Sequence, residues 1–70
     1  MSQPSIAVEV NGEPRSLPSA STVTSLLRHL ELEPARVAVE LNREILSRDR
    51  YDQPLGAGDR LEIVTFVGGG

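Results

Sequence analysis

Asn11-Gly12 constrains the fold of this chain more than any other pair of residues. It lies between Ile6-Ala7-Val8-Glu9-Val10 and Glu13-Pro14-Arg15-Ser16-Leu17. Both turn residues tolerate the positive φ that a two-residue type I′ turn demands, so the flanking segments are directed into a tight antiparallel hairpin. The first arm alternates with a period of two. Ile6, Val8 and Val10 share one face while Ala7 and Glu9 take the other, as in a strand with one side on a core. Pro14 has no amide hydrogen, which predicts that the second arm lies at a sheet edge.

A two-stranded hairpin cannot bury enough surface by itself, and the following residues supply its cover. Residues 18–21, Pro-Ser-Ala-Ser, read as a turn that offers Ser21 as a helix N-cap, with Ser19 as the alternative. Val23, Leu26, Leu27 and Leu30 then recur at i, i+3, i+4 and i+7, the stripe of an amphipathic helix. Pro34 disfavours helical geometry at Glu33, so the helix is expected to stop near residues 30–32. Val37-Ala38-Val39-Glu40-Leu41 alternates again, with Val37, Val39 and Leu41 inward. Asn42-Arg43 turns the chain into Glu44-Ile45-Leu46, a minor strand. Residues 47–54 form a polar surface crossing pinned by Tyr51, and Leu55 belongs to the core. After a turn at Gly56-Ala57-Gly58-Asp59, Arg60 opens a last strand. There Leu61 and Ile63 face the core, and Glu62, Val64 and Phe66 face away.

The order strand, strand, helix, strand, short strand, strand defines an α+β fold. Its expected form is a mixed four- to five-stranded sheet with one main helix packed on one face, and the most apolar strand, the last, in the middle. That arrangement is a ubiquitin-like β-grasp. Residues 1–67 make the expected domain, with Gly68, Gly69 and Gly70 as a flexible tail.

Composition removes most functional classes. With 70 residues the core is small. The absence of cysteine excludes thiolate metal sites and cysteine catalysis, and one histidine, His29 on the helix flank, cannot form a cluster. A net charge of −3 without a basic stretch, and 3% aromatic residues, argue against nucleic-acid binding. No apolar run approaches the roughly 20 residues of a membrane helix. The first five residues lack the features of a secretion signal, so a cytoplasmic monomer is expected. All seven basic residues are arginine, which fits either codon bias or a need to keep amines away from a reactive acyl group. No nucleophile, phosphate-cradling loop or paired acid and base is recognisable. Asp49, Asp52 and Asp59 fit solvated charges or backbone caps in turns. The chain is not expected to be an enzyme, nor to bind a metal or cofactor itself.

Two features remain. The first is Gly68-Gly69-Gly70, which reads either as an inert end or as a thread delivered into a partner's cleft. Three extended residues reach roughly 10 Å, and without side chains they pass where a bulkier terminus could not. The second is the outward face of the sheet, where polar residues are normal. Ala7, Ala38, Val64 and Phe66 would form one apolar patch there, rimmed by Glu9, Glu40 and Glu62, if the first, third and last strands are neighbours. Such patches serve docking; the alternative is that Phe66 folds back on the sheet edge.

These residues resemble a known family. Leu55-Gly56-Ala57-Gly58-Asp59-Arg60-Leu61-Glu62-Ile63-Val64, with terminal Gly69-Gly70, is similar to the ubiquitin-like sulfur carriers of bacteria. Val37-Ala38-Val39-Glu40-Leu41-Asn42-Arg43-Glu44, and the opening strand with Asn11-Gly12-Glu13, resemble the thiamine-biosynthesis branch, the ThiS family. The molybdopterin-synthase small subunit shares the tail but differs just before it. Gly68 and Ser47 depart from the pattern, standing where a larger residue and a proline are usual. The resemblance implies a sulfur carrier whose Gly70 carboxylate is the covalent site, with Gly68 and Gly69 as tether. Val64, Phe66, Ala38 and Glu62 would serve docking. It implies an E1-like adenylyltransferase (ThiF-like) that uses ATP and magnesium, a persulfide sulfur donor such as a cysteine desulfurase, and a thiazole synthase (ThiG-like) as acceptor. A carrier for molybdopterin or cysteine synthesis, or an interaction module with an inert tail, are the alternatives.

Overall fold

A computed structural model describes residues 4–66; Val67 and the glycine tail, like the first three residues, lie outside them. Five strands form one mixed sheet, β1 (Ser5–Val10), β2 (Glu13–Pro18), β3 (Val37–Leu41), β4 (Glu44–Ile45) and β5 (Arg60–Thr65), with helix α1 (Val23–His29) between β2 and β3. The sheet order is β2-β1-β5-β3-β4. β5 is therefore central, parallel to β1 and antiparallel to β3. This is the expected β-grasp, and β2 with its Pro14 lies at the edge. The hairpin turn has φ of 51° at Asn11 and 82° at Gly12, as the type I′ reading requires.

The core follows the alternation. Val8, Val10, Val37, Val39, Leu61 and Ile63 are buried from the sheet, and Val23, Leu26 and Leu27 from the helix. Leu46, Tyr51 and Leu55 close its far side, with Ile6, Leu30, Leu32 and Leu41 partly buried around it. The crossing between β4 and β5 holds a single 3₁₀ turn at Arg48–Arg50. Tyr51 anchors this segment, its carbonyl accepting from the Thr24 amide at 3.1 Å.

The N-terminal end of the helix departs from expectation, and the C-terminal end stops where expected but for a different reason. The N-cap is Thr22, not Ser21 or Ser19. Its Oγ1 accepts from the Ser25 amide at 3.0 Å, and Ser25 Oγ accepts in return from the Thr22 amide at 2.9 Å. That is a capping box with serine in the place usually held by glutamate or glutamine. Ser21 is buried, and its hydroxyl donates to the Pro18 carbonyl at 2.6 Å, closing the preceding turn.

At the other end, the helix stops before Pro34 has any influence. Glu31 adopts φ 60°. Its amide bonds to the Arg28 carbonyl at 3.1 Å, and the Leu32 amide to the Leu27 carbonyl at 2.8 Å, the paired bonds of a Schellman motif. A glutamate at this left-handed position is strained. Glu31→Gly is expected to stabilise the domain by about 0.5–1 kcal/mol, raising the unfolding midpoint by about 3–6 °C in a calorimetric scan. An unchanged or lowered midpoint would show that the side chain compensates for its backbone.

Candidate functional site

The outward face of the sheet is built by register. On β3 and β5 the partners are Ala38 with Val64 and Glu40 with Glu62. Opposed residues of an antiparallel pair point to the same face, so these four lie together, outward because Val39 and Ile63 point inward. Val64 and Phe66 are each 58% exposed, well beyond what an apolar strand residue facing a core would show. Phe66 does not fold back over the edge. Its amide donates to the Arg36 carbonyl at 2.8 Å, which continues the β3–β5 pairing one residue past the strand and fixes the direction in which the chain leaves the sheet. Beside this exit runs an open groove of about 480 Å³, lined by Glu31, Leu32, Glu33, Arg36, Thr65 and Phe66.

The patch is smaller than expected on one side and larger on the other. The first, third and last strands are neighbours, yet Ala7 does not join the group. β1 runs parallel to β5 with Glu9 beside Arg60, and the Gly58 amide bonds to the Ala7 carbonyl at 2.7 Å. Ala7 thus stands next to Gly58, six positions and roughly 20 Å of strand away from Val64. Glu9 pairs with Arg60 at 3.4 Å and shares a hollow with Glu62 at the edge of the face. Sequence reasoning missed Ile45. It is 80% exposed and is the register partner of Glu40, so it extends the face onto β4. The alternation could have found it, since inward Leu46 turns its neighbour outward.

The turn before β5 is fixed by side chains. Asp59 Oδ2 accepts from the Gly56 amide at 2.7 Å, and its Oδ1 accepts from Asn42 Nδ2 at 3.1 Å. Asn42 Oδ1 in turn accepts from the Arg60 amide at 3.0 Å. Asp59 is thus a backbone cap that ties the start of β5 to the β3–β4 hairpin. Among the described residues no group of three or more metal-ligating side chains comes together, and no helix is long and apolar enough to cross a membrane. Among the described residues the face offers contact surface without a cluster of metal-ligating side chains. The positions expected to bear the chemistry, Gly68, Gly69 and Gly70, lie outside the described residues.

The model of the ThiS family matches residues 5–70. The chain is 45% identical over 62 residues to a thiazole synthase of Paramagnetospirillum magneticum, a match covering 87% of this chain and 19% of that protein. This chain therefore spans about a fifth of that relative's length. A sulfur carrier protein ThiS of Thermus thermophilus is 41% identical over 64 residues, covering 90% of this chain and 98% of that one. Among solved structures, the thiamine biosynthesis protein ThiS of Geobacter metallireducens superposes with a TM-score of 0.76 at 36% identity, covering 93% of this chain and all of that one. Family match, full-length relative and solved fold agree: the chain belongs to the ThiS family of ubiquitin-like sulfur carriers.

Proposed function

We propose that the chain carries sulfur on the α-carboxylate of Gly70 and donates it to thiazole formation in thiamine biosynthesis. The observation that supports this most directly is the outward pair Val64 and Phe66, exposed at the end of the central strand with one residue, Val67, between them and the glycine run. A partner that grips this face receives the tail at the same time. A C-terminal carboxylate is ionised at neutral pH, its reference pKa being about 3.5, and an anionic carboxylate is a poor acyl donor because it resists nucleophilic attack. An E1-like partner converts it to the acyl-adenylate, with ATP and magnesium bound by that partner and pyrophosphate released. A persulfide sulfur then displaces AMP. Cleavage of the resulting acyl disulfide by a thiol, which supplies the two electrons, leaves the thiocarboxylate. Tail glycines give clearance, since a β-carbon at Gly69 or Gly70 would crowd a narrow channel. The carrier supplies the address and the acyl handle; catalysis belongs to the partners, in the cytoplasm where the activating nucleotide is found. The thiazole destination is supported by the likeness to a protein named thiazole synthase, of which a segment corresponds to this chain.

The test is an intact-mass measurement after incubation with ATP, magnesium, the adenylating enzyme and a persulfide donor. Exchange of one oxygen for sulfur, confined to the C-terminal peptide, is expected. An unmodified C-terminal peptide, with enzyme shown to be active on another carrier, would reject the reading. Docking is tested separately. Phe66→Asp is expected to lower kcat/KM for adenylation about 10–30-fold, the range of an interface hot spot, while unfolding stays cooperative because the ring is largely outside the core. Wild-type ATP–pyrophosphate exchange would remove Phe66 from the interface.

A further inference from the structure

On the outward face, one row of residues works against the stability of the free protein. Glu62 on β5 and Glu40 on β3 are register partners, so two carboxylates stand directly opposite each other on adjacent strands. Cβ atoms in such a pair are about 4.5–5.5 Å apart, and like charges there are destabilising. Other glutamates nearby are balanced: Glu9 pairs with Arg60 at 3.4 Å and Glu33 with Arg36 at 3.2 Å. Among the described residues, neither Glu40 nor Glu62 has an ion-pair partner within 4.0 Å. Arg43 and Arg60 line a hollow with Glu9 and Glu62, but neither guanidinium closes on Glu62, and Arg60 is engaged by Glu9.

Away from that hollow the row is bordered by apolar side chains. Ile45 continues it on β4, 80% exposed, and the adjacent row is Ala38 and Val64. The two carboxylates thus lie between Ile45 at the end of their own row, Val64 and Ala38 on one side, and Arg60 on the other. We infer that it recognises a protein surface presenting a cationic side chain, which inserts between Glu40 and Glu62 while its aliphatic stem rests on Ile45 and Ala38. Arginine suits this better than lysine, because its planar fork of five donors can serve two carboxylates at once. Repulsion in the free carrier becomes attraction in the complex. The acidic row also pulls a cationic partner in from a distance, and it fixes the register in which Val64 and Phe66 meet their pockets. This inference rests on the carrier reading, since the occupant it commits to is the activating enzyme that must hold this face while it receives the tail.

The test uses Glu40→Gln, Glu62→Gln and, as a control that removes one charge elsewhere, Glu13→Gln at the exposed hairpin turn. Stability and association are expected to move in opposite directions. Each of the first two variants raises the unfolding midpoint by about 2–5 °C. Each slows association with the activating enzyme about 3–10-fold at roughly 50 mM salt, and the difference closes at roughly 0.5 M. Glu13→Gln leaves association unchanged. Equal association by wild type and Glu40→Gln overturns the inference, as does an equal slowing by Glu13→Gln, which would indicate net charge alone. A midpoint that rises with added magnesium or calcium, and does so only when both glutamates are present, overturns it in favour of a metal ion. If wild-type carrier does not bind the enzyme at all, the carrier reading falls; if it binds and the variants bind equally, only the present inference falls.

Discussion

Removing Gly70 is expected to abolish sulfur loading while leaving the fold untouched. The truncated chain still ends in a glycine carboxylate, so it has the same functional group on a shorter tether. One residue withdraws that carboxylate by about 3.5 Å from the position a docked partner has prepared for it. Misplacement of about 1 Å can cost a reaction 100-fold, so a loss in kcat/KM above about 1000-fold is expected for adenylation. Among the described residues the buried core runs from Val8 to Ile63. The unfolding midpoint should match wild type within error. Adding a fourth glycine after Gly70 separates position from length, because it keeps every native residue and moves only the carboxylate. Both variants should still compete with wild type for the activating enzyme, since the docking face is intact. ATP–pyrophosphate exchange and intact mass provide the readouts. Sulfur loading of the truncated chain at the wild-type rate would refute a mechanism centred on Gly70.

Much of the frame was legible because it is local. Asn11-Gly12 specifies its turn through backbone preferences of two adjacent residues, and both adopt positive φ. Val8, Val10, Leu61 and Ile63 declare their inward faces by alternation alone. What was not legible depends on how distant segments meet. Ala7 was grouped with Val64 because both face outward, but strand neighbours share a patch only when their register brings them level. The parallel offset of β1 against β5 does not follow from either strand's sequence. Competition between similar residues hid the N-cap: Ser19, Ser21 and Thr22 are all good caps, and Ser21 is taken by the Pro18 carbonyl. At the C-terminal end the strong signal was the wrong one. Pro34 forbids continuation, but the Glu31 turn ends the helix first, through a left-handed conformation that no glycine announces. Glu40 and Glu62 were visible as rim charges, whereas their direct opposition emerges only from the pairing of β3 with β5.

The same limit explains a second role of Asn11, on which the largest stability prediction rests. β1 departs from β5 after Val10, and the Asn11 amide makes the last backbone bond to β5, to the Leu61 carbonyl at 2.8 Å. Beyond that point β5 would have no partner on this side. The Asn11 side chain takes over: its Oδ1 accepts from the Ile63 amide at 2.7 Å and its Nδ2 donates to the Ile63 carbonyl at 3.3 Å. A carboxamide thus reproduces the donor and acceptor of a missing strand residue, next to a buried position and at the root of the segment bearing Val64 and Phe66. Asn11→Ala removes both bonds and places a β-carbon without compensation at φ 51°. Leaving the two backbone groups without their partner costs about 1 kcal/mol or more each, and the left-handed alanine about 1 more, so a loss of about 3–4 kcal/mol is expected. For a domain of this size, whose total stability is on the order of 5 kcal/mol, that lowers the midpoint by about 15–25 °C. Asn11→Gly divides the effect, since glycine accepts the turn geometry and lacks only the carboxamide. It should recover the strain of about 1 kcal/mol and no more. Amide hydrogen exchange provides a local readout: in Asn11→Gly the Ile63 amide should exchange faster by more than the change in global stability accounts for, because the opening is confined to that edge of β5. Wild-type stability and wild-type Ile63 protection in Asn11→Gly would mean that the side-chain bonds contribute nothing, leaving Asn11 a turn residue alone. If protection is lost as expected, adenylation should slow in the same variant, because Val64, Phe66 and the tail all hang from the strand that Asn11 holds.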